Sequence, residues 1–196
     1  MVIDIVERQG LYEIVCLVQE GSVPAGRLQL GYPVLGMTDG LAPLPGASCH
    51  ALIAIGDNAK RMRVAAALKQ QGWQFTSAIH PAAALGREVR IGAGSVVMAG
   101  CAINPGSVVG EHVIVNTGAT VDHDCNIGDG VHLAPGCHLC GGVSVGSGSF
   151  LGAGTVAIPG VRIGRNVITG AGSSVVGDIA DAVKVAGVPA KPIEQS

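Results

Sequence analysis

From Ile79 to Val175 an aliphatic side chain returns at every sixth position. The series opens Ile79, Leu85, Ile91, Val97, Ile103, Val109 and runs through seventeen hexads without an insertion, with only Ala157 and Thr169 departing from Leu, Ile or Val. A period of six matches neither the 3.6-residue repeat of an amphipathic helix nor the two-residue alternation of a half-buried strand. It is the pattern of a hexapeptide β-helix. The residue after each aliphatic is usually small and often glycine, as at Gly86, Gly92, Gly110, Gly128, Gly146 and Gly164. The fifth residue of the hexad is also small or β-branched, as at Ser95, Cys101, Ser107, Cys125, Cys137, Ser149 and Thr155. The expected object is a three-sided prism of short parallel strands, with the aliphatics pointing inward, small residues in the corners and glycine permitting the turns. Three hexads make a coil, so residues 18 apart stand above one another, and five to six coils rise roughly 25 Å. Stacking between coils dominates the stability of such solenoids.

The chain ahead of the ladder reads differently. Val2, Ile3, Ile5 and Val6 recur at helical spacing. Strands are expected over Tyr12–Val18 and Ala51–Ile55, then a Gly56-Asp57-Asn58 turn, a helix through Leu68, and a strand around Trp73–Ile79. This is a small α/β unit. The expected division is 1–78 for that unit, 79–180 for the prism and 181–196 for a tail. The tail carries Ala186-Gly187-Val188-Pro189-Ala190-Lys191-Pro192, and its two prolines end the repeat and pack it back along the prism.

Composition narrows the function classes. Mean hydropathy is positive, yet no apolar run approaches the ~20 residues of a spanning helix, and Asp4, Glu7 and Arg8 interrupt any signal-peptide pattern. The net charge of −2 gives no support for binding nucleic acid or a membrane surface. The expectation is a soluble cytoplasmic protein whose high hydropathy serves subunit contacts. Six cysteines form no CxxC pair, and Cys137-His138-Leu139-Cys140 has no second pair to complete a zinc site. They read as packing thiols in a reducing compartment.

Outward positions of the ladder are mostly Gly, Ser, Ala and Asn, so the polar run at 115–138 stands out, with three histidines and three aspartates. His123 is third in its hexad and Asp124 fourth, both outside the inward slot and near a corner. An imidazole with an ordinary pKa of ~6.5 suits proton removal near neutral pH, and a neighbouring carboxylate orients it and stabilises its protonated form. His132 and His138 are one hexad apart, hence on different faces, and cannot easily share an ion. No metal is expected. His50, His80 and His112 read as surface or junction residues.

The front unit, the prism, N-T-G-A-T-V-D-H-D at 116–124 and G-V-P-A-K at 187–191 together resemble the bacterial NeuD/PglD-type sugar acetyltransferases. The resemblance covers nearly the whole chain. It implies a left-handed parallel β-helix, a homotrimer with sites between subunits, and acetyl-CoA as co-substrate. The implied reaction is direct acetyl transfer to an amino group of a nucleotide-activated, UDP-linked amino sugar. Carried across by position, His123 is the general base and Asp124 its partner. His132 falls at an acetyl-CoA contact, and Gly141 offers an amide near the thioester oxygen. Gly152-Ala153 and Gly170-Ala171 fall where backbone groups hold the pantetheine arm, and Lys191 is a candidate for a CoA phosphate. Gln19, Glu20, Gly56, Asn58 and Asn116 fall on the substrate side. Val18-Gln19-Glu20 stands where relatives often carry Leu-Asp-Asp. The family opens with a strand and a glycine-rich loop bearing a histidine, whereas Met1-Val2-Ile3-Asp4 matches the middle of its first helix. A Rossmann-like unit lacking that strand and loop is therefore expected. Three rivals remain: O-acetylation of a sugar hydroxyl of the sialic-acid type, a catalytically impaired scaffold, and a zinc hydratase like the γ-class carbonic anhydrases, which share the prism.

Overall fold

One two-residue strand per hexad, from Ala78–Ile79 to Ser174–Val175, winds the ladder into three parallel sheets. The computed structural model of the chain describes residues 1–37 and 49–193. Face one stacks Ala78–Ile79, Val96–Val97, Ile114–Val115, His132–Leu133, Phe150–Leu151 and Ile168–Thr169. Face two runs from Ala84–Leu85 to Ser174–Val175, and face three from Arg90–Ile91 to Arg162–Ile163. Every pairing among these strands joins residue i to i+18, as in Ile114↔His132 and Thr120↔His138, and only the closing coil shortens to 16, at Ile168↔Lys184 and Ile163↔Ile179. The second residue of each strand points inward, and Val97, Ile103, Val115, Val121, Leu133 and Leu151 are wholly buried in one continuous column. Ala157 and Thr169 occupy the same slot. Thr169 is tolerated there because its hydroxyl meets Thr155 Oγ1 (2.7 Å) and accepts from the Gly152 amide (2.9 Å).

The corners depart from the expectation in one respect. The glycine that makes the turn is the fourth residue of the hexad, not the second. Fifteen successive fourth positions, from 88 to 172, have positive φ; eleven are glycine and four are Glu88, His112, Asp124 and Asn166. At the second position glycine serves stacking instead: a Cβ on Gly92 would lie 2.5 Å from the Gly110 carbonyl carbon, one coil away. The fifth position does more than fit a narrow corner. Ser107 Oγ donates to Asp122 O (2.6 Å) and accepts from Cys125 N (3.1 Å), bridging adjacent coils, and Ser95 and Ser149 do the same. Cys101, Cys125 and Cys137 fill the equivalent slot with thiols aimed at carbonyls. Burial pushes the Cys137 thiol up to about 11, which leaves it unreactive.

In the front unit, helix α1 (Val2–Gln9) packs Ile5 and Val6 into the same core as Ala78. Strands β1 (Leu17–Gln19), β2 (Leu28–Gln29) and β3 (Tyr32–Gly36) form a sheet in the order β1-β3-β2. Strands β4 (His50–Ala51) and β5 (Gln74–Phe75) pair in parallel. Two expected strands are shorter than their apolar runs: Tyr12–Val18 contracts to β1, and Ala51–Ile55 to β4. A strand extends only as far as its ladder, and the carbonyl of Ile55 goes to Arg61. The expected helix is present as α2 (Asn58–Gln70), capped by Asp57, whose side chain accepts from Lys60 N (2.6 Å). The Trp73–Ile79 run divides into β5 and the first strand of the prism. At the other end, Lys184–Ala186 adds to face one and Lys191–Pro192 turns back antiparallel against it. Residues 194–196 of the expected tail lie outside the described residues. No helix among the described residues is long and apolar enough to cross a membrane.

The front unit is fastened along one corner of the prism. Arg61, fully buried, donates to His112 O (2.8 Å) and Gly130 O (2.9 Å), one coil apart, and to Ile55 O, Gly56 O and Asn58 Oδ1 of its own unit. Asn58 Nδ2 reaches the next coil at Gly148 O and Ser149 O, both at 3.0 Å. All five Arg61 partners are neutral. Burial pulls the guanidinium down to about 10, so it remains a cation at neutral pH. His112 is 3% exposed, with its ring edge-on to Phe75 at 4.6 Å. Burial lowers its pKa, so the ring is held neutral.

Two stability measurements check this picture. Leu133→Ala, in the wholly buried column, should cost about 2–5 kcal/mol in denaturant unfolding, whereas Leu85→Ala at the open first coil (42% exposed) should cost less than about 1 kcal/mol. Because the unfolded chain takes up the His112 proton near pH ~6.5 and the folded chain only at lower pH, stability should fall as pH drops below that value. His112→Asn, which tolerates the same backbone, should flatten that fall.

Candidate active site

The turn between faces two and three carries His123 on its outer edge. Its Nδ1 lies 2.9 Å from Asp124 Oδ2. A carboxylate only accepts, so Nδ1 carries the hydrogen and Nε2 is the free basic nitrogen. The ring is exposed and lies over Gly141, one coil along; a Cβ on Gly141 would stand 2.6 Å from both Cε1 and Nε2. Glycine is what leaves room for the imidazole. Asp124 occupies the left-handed fourth position with φ 58°, and its Oδ1 leans over Gly106, one coil back. The ladder sets an aspartate where glycine would cost less, and the carboxylate so placed meets the ring. A second carboxylate stands behind it: Asp122 Oδ1 accepts from His123 N (2.8 Å) and Asn104 Nδ2 (2.8 Å). The Asn104 amide, then the His123 N–H, hold Asp122 below the usual carboxylate range. The Asp124 hydrogen bond and the Asp122 charge raise the His123 pKa above its ordinary value.

Beside this edge, face two carries a shallow cavity of about 320 Å³ lined by Ala102, Asn104, Thr120, Asp122, His138, Leu139 and Cys140. Thr120 Oγ1 and His138 Nδ1 meet across it at 2.9 Å. Neither Asn104 nor His138 figures among the expected site residues. Their partners, Asp122 and Thr120, lie 18 residues away, so the stacking of hexads one coil apart was the signal that could have found them. The Gly141 amide, one coil along the same edge, donates to no acceptor among the described residues.

A second group gathers on face one, where the front unit meets the prism. His132 is half-buried, edge-on to Phe150 at 5.1 Å, with Nδ1 3.4 Å from Gly56 O and Nε2 3.1 Å from Asn116 Nδ2. Burial lowers its pKa; the Gly56 carbonyl opposes this and the Arg61 charge adds to it, leaving the net shift downward. Three expected residues, Gly56, Asn116 and His132, are thus in contact. Asn58 is close by, but its side chain is committed to prism carbonyls and to Arg61. Arg61 itself was not legible, since Lys60-Arg61-Met62-Arg63 gives no sign of which cation is buried.

The remaining expected residues are spread along the structure. Gly152-Ala153 and Gly170-Ala171 stack at the corner between faces one and two, one coil apart. Ala153 and Ala171 are exposed, and their amides donate to no acceptor among the described residues. Gly152 and Gly170 also have packing reasons: a Cβ would meet Thr169 O at 2.6 Å and Ala186 Cβ at 2.9 Å respectively. Lys191 is exposed and pairs through the backbone with Ala186, which abuts Gly170. In the front unit Gln19 pairs with Gly36, and Glu20 forms an ion pair with Lys60 that lowers the carboxyl pKa. His123 with Gly141 and His132 with Asn116 therefore stand on different parts of one prism. Among the described residues no group of three or more His, Cys, Asp or Glu side chains is gathered to hold a metal ion.

Comparisons with known proteins agree with this fold. The family model described as the PglD N-terminal domain matches residues 1–68, and that for the bacterial transferase hexapeptide (six repeats) matches residues 124–157. The acetyltransferase domain of PglB from Neisseria gonorrhoeae is 38% identical, covering 98% of this chain and 93% of that one, with a TM-score of 0.87. A second structure of that domain, at 38% identity, 98% and 92% coverage and a TM-score of 0.87, holds acetyl coenzyme A. PerB from Caulobacter crescentus, solved with CoA and GDP-perosamine, is 40% identical over 98% of this chain and 91% of that one, with a TM-score of 0.85. No curated protein sequence matches.

If Asp124 occupies a slot made for glycine, Asp124→Gly should leave the melting temperature unchanged or raise it. The same substitution should move the His123 titration, followed by NMR, back toward lower pH.

Proposed function

The chain belongs to the NeuD/PglD-type sugar acetyltransferases, and from that premise we propose that it acetylates the amino group of a nucleotide-activated amino sugar with His123 as general base. It is an acyltransferase whose co-substrate is acetyl-CoA. The observation that carries the rest is the exposed His123 ring over Gly141, held by an Asp124 carboxylate at a backbone position that is glycine at most corners.

The chemistry follows from that arrangement. The neutral amine attacks the thioester carbonyl carbon, and a C–N bond forms as the carbonyl oxygen takes up negative charge. His123 Nε2 removes the proton from the attacking nitrogen, while Asp124 and Asp122 stabilise the imidazolium. Collapse re-forms the carbonyl and breaks the C–S bond, and the imidazolium returns its proton to the departing thiolate. No covalent enzyme intermediate is required, because positioning and one base supply the acceleration. The unpartnered Gly141 amide is the donor for the oxyanion. The Ala153 and Ala171 amides, with Gly152 and Gly170 beside them, line the pantetheine arm; His132 borders it, and Lys191 meets a CoA phosphate. Gln19, Glu20, Gly56, Asn58 and Asn116 face the nucleotide sugar, with Asn58 acting through its backbone since its side chain is engaged.

A side of the prism, six residues long, spans up to roughly 20 Å. A base on one edge and a pantetheine groove on the next serve one thioester when two chains meet, so we place the site at the seams of a homotrimer. Residues 1–78 then bind the nucleotide sugar, 79–180 bind acetyl-CoA, and 181–196 form the closing tail. The reaction belongs to glycan biosynthesis in the cytoplasm, where acetyl-CoA and nucleotide sugars occur together. GDP-perosamine in the PerB structures is one acceptor of the proposed class, and UDP-linked amino sugars are the others to test first.

Thiol release from acetyl-CoA, measured over UDP- and GDP-linked amino sugars, free amino sugars and their hydroxyl analogues, tests this reading. Turnover should require the amino group. His123→Ala should lose ~10²-fold or more in kcat with an unchanged melting temperature, and full activity in that variant would remove His123 from the mechanism. Because the base must be unprotonated and its pKa is raised, kcat/KM should fall as pH drops through a value above ~6.5. Asp124→Asn should shift that limb to lower pH.

A further inference from the structure

Arg61 is the one fully buried charged side chain among the described residues, and it touches neither His123 nor open solvent. Its Nη1 donates to Gly56 O at 3.2 Å. The same carbonyl faces His132 Nδ1 at 3.4 Å, so its two lone pairs face two donors. A carbonyl only accepts, which assigns the hydrogen of His132 to Nδ1. The other ring nitrogen is assigned independently. Asn116 Oδ1 is pinned by the Thr117 amide at 2.8 Å, which turns the Asn116 NH₂ toward His132 Nε2 at 3.1 Å. An NH₂ group only donates, so Nε2 must be bare. Protonating it would set donor against donor in a half-buried contact. The charged group that acts on the ring is Arg61 itself; the other neighbour is the edge of Phe150.

We propose that Arg61 is a positioning residue that acts through the Gly56 carbonyl it shares with His132. It holds that imidazole neutral, as the Nδ1–H tautomer, and so couples the seating of the front unit to the acetyl-CoA side of the site. The tautomer follows from hydrogen-bond directions alone; that His132 borders acetyl-CoA rests on the function proposed above. The coupling has a physical basis. Gly56 begins the turn into α2, Arg61 ties that turn to His112 and Gly130 of the prism, and His132 lies on the strand that follows Gly130. A displacement of the turn therefore reaches the ring within two hydrogen bonds.

Histidine-selective ¹⁵N labelling of the full chain, with long-range ¹H–¹⁵N spectra taken as pH is lowered, reads the ring directly. His132 should show a protonated Nδ1 and a bare Nε2, and should titrate below the ordinary ~6.5. The buried Arg61 Nη resonances should shift with the same midpoint, a readout that needs no variant to fold. Arg61→Lys, which keeps the charge and loses the fork, should give mixed tautomers and a midpoint nearer the ordinary value. It should also raise the KM for acetyl-CoA about fivefold with kcat within about twofold. Asn116→Asp replaces the NH₂ with an acceptor and should raise the His132 midpoint above the ordinary value. A wild-type Nε2–H tautomer, Arg61 resonances indifferent to His132 protonation, or a folded Arg61→Lys with unchanged His132 spectra would each overturn the proposal. Spectra as expected from a chain inactive on every amino sugar would sink the proposed function while leaving the tautomer assignment standing.

Discussion

Everything in the prism depends on one register: residue i stands over residue i+18 on all three faces. Hydrogen bonds between coils hold that spacing, and the inward aliphatic column makes it the spacing that excludes water. A slip of one residue would turn the column outward and bring polar residues in, so each hexad enforces the register of its neighbours. The site inherits its geometry from this constraint. His123 lies over Gly141, Asn104 reaches Asp122, and Thr120 reaches His138 because each pair is one coil apart.

Within so regular a scaffold, departures are informative when the position they break is identified. The left-handed fourth position is glycine at most corners, and two of its exceptions carry consequence. Asp124 uses the slot to bring a carboxylate beside an imidazole. His112 uses it to offer a carbonyl to Arg61 and a buried ring to Phe75. The cost of a side chain in this conformation is modest for Asp and His relative to bulkier residues. The His-Asp pair was legible as an anomaly in the sequence. Its reason, a left-handed turn that is glycine at most corners, was not, because the more obvious run of glycines follows each aliphatic residue.

The front unit is held by different physics. Its strands are short, its helix α2 shows no clear apolar stripe, and beyond the packing of Ile5 and Val6 its attachment uses hydrogen bonds from Arg61 and Asn58 to backbone carbonyls of three successive coils. Such bonds leave no trace in hydrophobic periodicity, since a carbonyl is present at every residue. For the same reason the resemblance placed Asn58 on the substrate side with no sign that its amide is committed to the prism. Breaking a contact of this kind leaves a buried group unsatisfied, so it specifies one seating of the unit rather than a range.

The six-residue period by itself determined the three-sided prism, its inward column and the outward position of His123, because a repeat of that length admits one way to bury every aliphatic. It also set His132 and His138 on separate faces. Only the tertiary structure decided which corner slot is left-handed, which arginine is buried, and that Gly56, His132 and Asn116 converge. Those outcomes depend on what lies one coil or one unit away, and the burial and direction of a polar group are set by partners distant in the chain.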